Sequence, residues 1–195
     1  IGQGNLRVTP LQVANTMATL ARNGLYKEPS LFVEDEKEGF NWISLNISPQ
    51  TLETVRDGMW AVVNEQGGTA YGAFSEAGYA KRDVKVYGKT GSTQAPENAL
   101  FSGYAEDSRS RAVAVVVLVE GGQQGSSDAA PLAKKMIDYC IELGYVGHPN
   151  EPAAQPQQPV ATPTAAAQPQ PAAAEPEAAA PSPSGVPVIA PMAGI

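Results

Sequence analysis

Apolar residues in the first third of the chain recur at helical spacing. Leu11, Ala14, Met17, Ala18 and Ala21 share one helix face. Thr9-Pro10-Leu11-Gln12 opens this helix: Thr9 is an N-cap, Pro10 takes the first helical position, and Gln12 can close a capping box. Asn23-Gly24 supplies its stop. Ser48-Pro49 repeats the start, and Leu52, Val55, Met59 and Val62 trace a second stripe, so residues 49–65 read as a second helix ending at Gly67-Gly68. Leu31-Phe32-Val33 is a short strand candidate, Glu34–Gly39 a solvated hairpin tip, and Thr69–Tyr79 a loop.

The period then changes to two. Val84 and Val86 lead into Gly88-Lys89-Thr90-Gly91-Ser92-Thr93, a strand that places Lys89 and Gly91 on one face and Thr90 and Ser92 on the other. Phe101–Ala105 is a second strand. Ala112–Val119 is a third, and its unbroken apolar run predicts burial on both faces. Gly121–Gly125 reads as a flexible turn. Asp128 then caps a last helix, with Pro131 in its first turn and Leu132, Ala133, Met136, Ile137, Cys140 and Ile141 on one face. Three closely linked strands imply an antiparallel meander with helices on its faces, an α+β fold.

Composition changes the picture at the C-terminal end. From Pro149 onward there is no aromatic residue, Lys or Arg, and 12 of the 17 prolines fall there among Ala, Gln and Ser. Such a segment buries too little apolar surface to offset its ordering entropy. Residues 1–147 are therefore expected to be the folding part and 148–195 a disordered Pro/Ala-rich tail. A formal charge of −7 with no basic stripe argues against a nucleic-acid partner. Cys140, the only cysteine, rules out an internal disulfide and a cysteine-rich metal site. No apolar run reaches the length of a membrane span. The first residue is Ile1 rather than Met, and the chain reads as a fragment or a processed product.

The strand at Lys89 carries the candidate chemistry. A cation attracts a carboxylate, hydroxyls fix it, a strand N–H can meet an oxyanion, and Gly91 leaves room for a ligand backbone. Lys-Thr-Gly alone is better read as an edge strand with a solvated lysine.

Its setting is more specific. Gly2-Gln3-Gly4, Thr9-Pro10-Leu11-Gln12, Ala21-Arg22-Asn23-Gly24, Met59 with Val62-Val63, Gly67-Gly68-Thr69-Ala70, Gly88-Lys89-Thr90-Gly91-Ser92, Phe101-Ser102-Gly103-Tyr104 and Ala129-Ala130-Pro131 occur in one order. This series resembles the C-terminal half of the transpeptidase domain of class B penicillin-binding proteins, most closely the penicillin-binding protein 2 group, over residues 1 to about 145. The resemblance implies acyl transfer through a serine acyl-enzyme, without a cofactor or metal. Lys89 would assist proton transfer around the nucleophile. Thr90 and Ser92, with Thr93 beside them, would hold the terminal carboxylate of a D-Ala-D-Ala stem peptide or a β-lactam. The Ser92 N–H would be one oxyanion donor, an element contributing about 3 kcal/mol to barrier lowering. Peptidoglycan stem peptides, β-lactams and, through a segment outside this chain, elongation-complex membrane proteins are the implied partners. The implied location is the extracytoplasmic side of the inner membrane.

The chain departs from the family in one decisive way: no Ser is followed three residues later by Lys. Ser44-Leu45-Asn46 fits the family's Ser-x-Asn pattern but lies on the wrong side of Gly2-Gln3-Gly4, as a chance match does. Leu100 replaces a Trp, and Ser92 replaces the commoner Thr while keeping its hydroxyl. The chain thus reads as one wall of an acyl-transfer site. A sensor that binds the same ligands with slow turnover, and a chain whose working part is the Pro/Ala tail as a spacer, are the competing readings. Of the remaining residues, His148 reads as surface, Cys140 as a buried inert thiol, and Trp42 and Trp60 as packing. Asp83 and Glu97 read as exposed loop charges, and Tyr87 and Tyr104 as either cleft or packing residues.

Overall fold

The computed structural model describes residues 3–31 and 42–148. By contacts the chain divides into Ile1–Gln155 and Pro156–Ile195, and every helix and strand among the described residues belongs to the first unit. Gly2, Phe32-Val33, the hairpin tip Glu34–Gly39 and the Pro/Ala tail from Pro149 lie outside the described residues.

The first two predicted helices form where their caps place them. In α1 (Pro10–Ala21) Thr9 Oγ1 accepts the Gln12 N–H at 3.3 Å, and Gln12 Oε1 accepts the Thr9 N–H at 2.8 Å, which completes the capping box. The chain leaves α1 through Asn23 (φ 54°) and Gly24 (φ 83°), left-handed positions that suit Asn and Gly. A short ribbon of β1 (Leu25–Tyr26) and β2 (Ile43–Ser44) follows. In α2 (Pro49–Asn64) Ser48 Oγ accepts the Thr51 N–H at 3.2 Å. Its buried face is Leu52, Met59 and Val63; Val55, expected on the stripe, is 40% exposed, because the helix packs along one flank of that stripe.

Thr69–Tyr79 is not all loop. Tyr71–Phe74 forms a one-turn helix α3, and a 3₁₀ turn covers Tyr79–Arg82. No side chain caps either; burial of Ala70, Phe74 and Tyr79 holds them, a tertiary cause that local sequence does not display.

The meander is as expected. The strands β3 (Lys85–Gln94), β4 (Glu97–Glu106) and β5 (Ala112–Glu120) form an antiparallel sheet in the order β3-β4-β5. A cis Ala95-Pro96 bond sits in the tight turn between β3 and β4. The register runs from Lys85 opposite Glu106 to Gln94 opposite Glu97. One face carries Val86, Ala99, Phe101, Ala105, Val115 and Val117, and the last helix, α4 (Ala130–Glu142), covers it with Ala130, Ala133, Ile137 and Ile141. A β-carbon on Gly88 would lie 2.4 Å from Phe101 Cζ, so the buried Phe101 ring rests on backbone only glycine leaves bare. On the opposite face Tyr87 stacks on Tyr104 with centroids 4.8 Å apart, against Met59 of α2 and Met17 and Leu20 of α1.

Three further expectations need correction. Strand β5 buries Val115 and Val117 on one face only; on the other Leu118 is 40% exposed, because α1 covers that face incompletely. Asp128 does not cap α4; its carboxylate accepts the N–H groups of Gln123 and Gln124 at 2.7 and 3.2 Å, and a single π-helical turn over Gly125–Ala129 leads into the helix. The preceding turn is held in place by these bonds. Leu132 and Met136, assigned to the inner face of α4, are 43% and 48% exposed, since that face follows Ala130, Ala133, Ile137 and Ile141.

Beyond α4 the described chain is clasped by a buried carboxylate. Asp107 accepts from Arg109 N–H, Arg111 N–H, Arg111 Nε and Gly147 N–H at 2.8 to 3.0 Å. Burial opposes its ionisation, yet the Arg111 and Gly147 hydrogen bonds hold its pKa below the ordinary carboxylate value. Arg111 also reaches the carbonyls of Gly144 and Gly147, which seats Val146 in the core.

Candidate functional site

Among the described residues strand β3 is an edge strand, and the parity of its ladder decides which backbone groups face outward. The Gln94 N–H is taken by Gln3 Oε1 at 3.2 Å rather than by β4, and the Glu97 carbonyl accepts from Gly121 at 2.9 Å, on the β5 side. Gln94 and Glu97 are therefore a non-hydrogen-bonded pair. In an antiparallel ladder the two kinds of pair alternate, so Ser92, Thr90, Gly88 and Val86 also direct their N–H and carbonyl groups away from β4. Two contacts agree: Asn64 Nδ2 donates to the Val86 carbonyl at 2.9 Å, and Lys89 Nζ donates to the Thr90 carbonyl at 2.7 Å. The Ser92 N–H thus points off the open edge, and among the described residues no acceptor meets it.

The side chains follow the expected alternation. Lys89, opposite Ser102, and Gly91, opposite Leu100, lie on the face that carries Tyr87 and Tyr104. Lys89 is exposed, and its ammonium curls back over the edge to the Thr90 carbonyl. Thr90 and Ser92 lie on the α4 face, opposite Phe101 and Ala99. Thr93 turns its hydroxyl to the Pro96 carbonyl inside the hairpin, so that group is engaged within the turn.

Each outward hydroxyl has a partner behind it. Thr69 Oγ1 lies 2.7 Å from Thr90 Oγ1. Gly125 N–H donates to Ser92 Oγ at 3.1 Å. Both partners come from tight backbone turns. A β-carbon on Gly68 would lie 2.3 Å from the Ala61 carbonyl oxygen, and one on Gly125 would lie 2.4 and 2.5 Å from the carbonyl oxygens of Leu100 and Gly91. In the sequence Thr69 and Gly125 stand out only as parts of a landmark and a turn. The glycines beside and at these positions are the one signal there that the backbone closes tightly.

The remaining candidates fall elsewhere. Ser44 and Asn46 bond each other in and after β2, a local turn with Asn46 at φ 51°. Asp83 accepts from Ser108, and Glu97 closes the hairpin opposite Gln94; neither meets Lys89. His148 is less isolated than expected: its Nδ1 is 3.1 Å from Arg109 Nη2, and Nε2 is 4.0 Å from Asp83. Trp42, half-exposed, has Arg22 and Lys27 over its ring, and Trp60 packs at 5.6 Å on Tyr87. Cys140 is half-buried against the main core, and burial pushes its thiol pKa up. Tyr87 and Tyr104 pack together, with the Arg56 guanidinium 5.1 Å from the Tyr87 centroid.

Among the described residues the candidate site is therefore an open strand edge that presents a cation, an N–H donor and two hydroxyls, a set of groups suited to an anionic ligand with a carbonyl. An antiparallel meander backed by α4 and presenting this edge defines the class: the chain belongs to the penicillin-binding protein transpeptidase domain family, whose model matches residues 1–138. It is 32% identical over 168 residues to the peptidoglycan D,D-transpeptidase MrdA of Haemophilus influenzae, across 72% of this chain and 25% of that protein. It is 27% identical to MrdA of Escherichia coli K12, across 74% and 26%. Among solved structures it resembles Pseudomonas aeruginosa PBP2 in complex with WCK 5153 (28% identity, TM-score 0.52, 80% of this chain and 34% of that one). It also resembles the PBP2 of the Helicobacter pylori PBP2–MreC complex (27%, TM-score 0.54, 75% and 27%). The chain spans about a quarter of the length of the curated relatives it matches. Among the described residues no helix is long and apolar enough to cross a membrane.

Proposed function

We propose that residues 1–147 form one wall of a peptidoglycan D,D-transpeptidase site. The serine nucleophile and its partner lysine belong to a part of a longer protein not represented in these 195 residues. The observation that carries this reading is the outward-facing Ser92 N–H between the Lys89 ammonium and two rim hydroxyls, in a chain of this family that has no Ser-x-x-Lys.

Each group has a role set by its chemistry. Thr90 and Ser92 donate hydrogen bonds to the terminal carboxylate of the D-Ala-D-Ala stem, and Gly91 leaves space for its backbone. The Ser92 N–H stabilises the oxyanion that forms when the serine attacks the penultimate carbonyl. The Lys89 ammonium raises the local positive potential and favours the proton transfers at the nucleophile. D-Ala leaves with the proton taken from the serine, and an amine of a neighbouring stem resolves the acyl-enzyme. The same rim binds a β-lactam carboxylate. The longer protein works on the outer side of the cytoplasmic membrane with membrane proteins of wall elongation, and MreC in the complex with the related Helicobacter pylori PBP2 supports such a partner.

The test is cross-linking by the longer protein with Ser92→Ala and Lys89→Met. Loss of stem-peptide cross-linking in both supports the reading. Unchanged cross-linking in both removes this strand from the site.

A further inference from the structure

The two rim hydroxyls face a problem of proton direction. A carboxylate only accepts hydrogen bonds, so a hydroxyl that binds it has to turn its single proton toward it. Ser92 is arranged for this: the Gly125 N–H occupies a lone pair of Ser92 Oγ, and the Ser92 proton is left for a ligand. Thr90 has Thr69 Oγ1 at 2.7 Å, and either oxygen can be the donor in that pair. If Thr90 donates to Thr69, its proton is spent inward and its oxygen faces the carboxylate as a repelling acceptor. If Thr69 donates, the Thr90 proton is free to point outward.

We propose that Thr69 is a positioning residue, whose hydroxyl donates to Thr90 Oγ1 and so turns the Thr90 proton toward a ligand carboxylate. This rests on the proposed transpeptidase site, in which Thr90 meets that carboxylate.

The backbone is built to hold Thr69 in place. The chain leaves α2 through a turn in which Gly68 has no room for a side chain against the Ala61 and Val62 carbonyls. Ala70, on the other side of Thr69, is buried and donates its N–H to the Val62 carbonyl at 3.0 Å. Tyr71 N–H closes back on the Gly68 carbonyl at 3.0 Å. Thr69 is thus anchored on both sides, at the end of a helix that also grips the β3 edge through Asn64 and Val86. The Thr69 backbone is thereby placed by the fold, and from there its exposed hydroxyl meets Thr90 Oγ1. Behind each rim hydroxyl stands one fixed donor: a backbone N–H for Ser92 and a hydroxyl for Thr90.

The experiment compares acylation rates of the longer protein with benzylpenicillin and with its methyl ester, which keeps the lactam and lacks the carboxylate charge. Thr69→Val is expected to slow the free acid by about three- to tenfold, the worth of one net hydrogen bond, and to leave the ester rate and the melting temperature unchanged. Thr69→Ser, which keeps the hydroxyl, is expected to restore the free-acid rate. In a Thr90→Val background, Thr69→Val is expected to add nothing. Equal slowing of acid and ester, or no slowing of either, overturns the proposal, as does failure of Thr69→Ser to restore the rate. If the unmodified protein is acylated equally fast by acid and ester, the carboxylate reading of Thr90 and Ser92 falls first, and the role of Thr69 falls with it.

Discussion

The Gly125 N–H lies 3.1 Å from Ser92 Oγ, and the two backbones meet so closely that no side chain fits at Gly125. The turn before α4 and the rim of β3 are therefore one packed unit. Gly125→Ala places a methyl against the backbone oxygens of Leu100 and Gly91, which cannot swing away as a flexible side chain can. It is expected to destabilise the chain by about 1–3 kcal/mol and to displace the Ser92 hydroxyl. Urea unfolding measures the first effect. The second is read as weaker acylation of the longer protein by benzylpenicillin with little change for its methyl ester.

Asp107 gives a prediction with a defined pH sign. Its side chain is fully buried and its pKa is lowered, so its contribution to stability is complete above the unfolded value of about 3.9. That contribution disappears as pH falls through the lower folded value. At pH 7, Asp107→Ala leaves the half-exposed guanidinium of Arg111 and the buried Gly147 N–H without this acceptor, a loss of about 1–3 kcal/mol. The gap between wild type and variant is expected to narrow as pH drops below about 4. Urea titrations at pH 7 and pH 3 check this, and a gap of equal size at both would contradict it.

The outer edge of β5 pairs with no strand among the described residues. With Leu118 exposed beside it, this edge favours association with other chains. Residues 1–147 expressed alone are expected to be oligomeric or poorly soluble, and Leu118→Lys is expected to reduce the association. Light scattering on the eluted protein reads both. A monodisperse, cooperatively melting monomer of the parent sequence would count against it.

Much of this architecture was legible in the sequence because its causes are local. Thr9-Pro10 with Gln12, and Ser48-Pro49, are caps whose hydrogen bonds span three residues. Val84 through Ser92 alternates because strands do. Most of the misreadings have a different cause, long-range packing: the one-turn helix at Tyr71–Phe74 exists because Phe74 stacks 5.5 Å from Phe101. Asp128 is a local exception, its carboxylate closing back on the Gln123 and Gln124 N–H groups instead of capping α4. At the candidate site, the residue types on β3 are the sequence basis of the proposed anionic-ligand chemistry. The partners behind them, Thr69 and Gly125, come from turns 21 and 33 residues away in sequence, and only the neighbouring glycines mark those turns.

The most direct test of the central claim is fluorescent penicillin labelling of three proteins side by side: this 195-residue chain, the longer protein, and the longer protein carrying Lys89→Met. Covalent label is expected on the longer protein alone, and much weaker or absent once Lys89 is replaced. Stable label on any serine of the 195 residues, or full labelling of the Lys89→Met variant, would contradict the account.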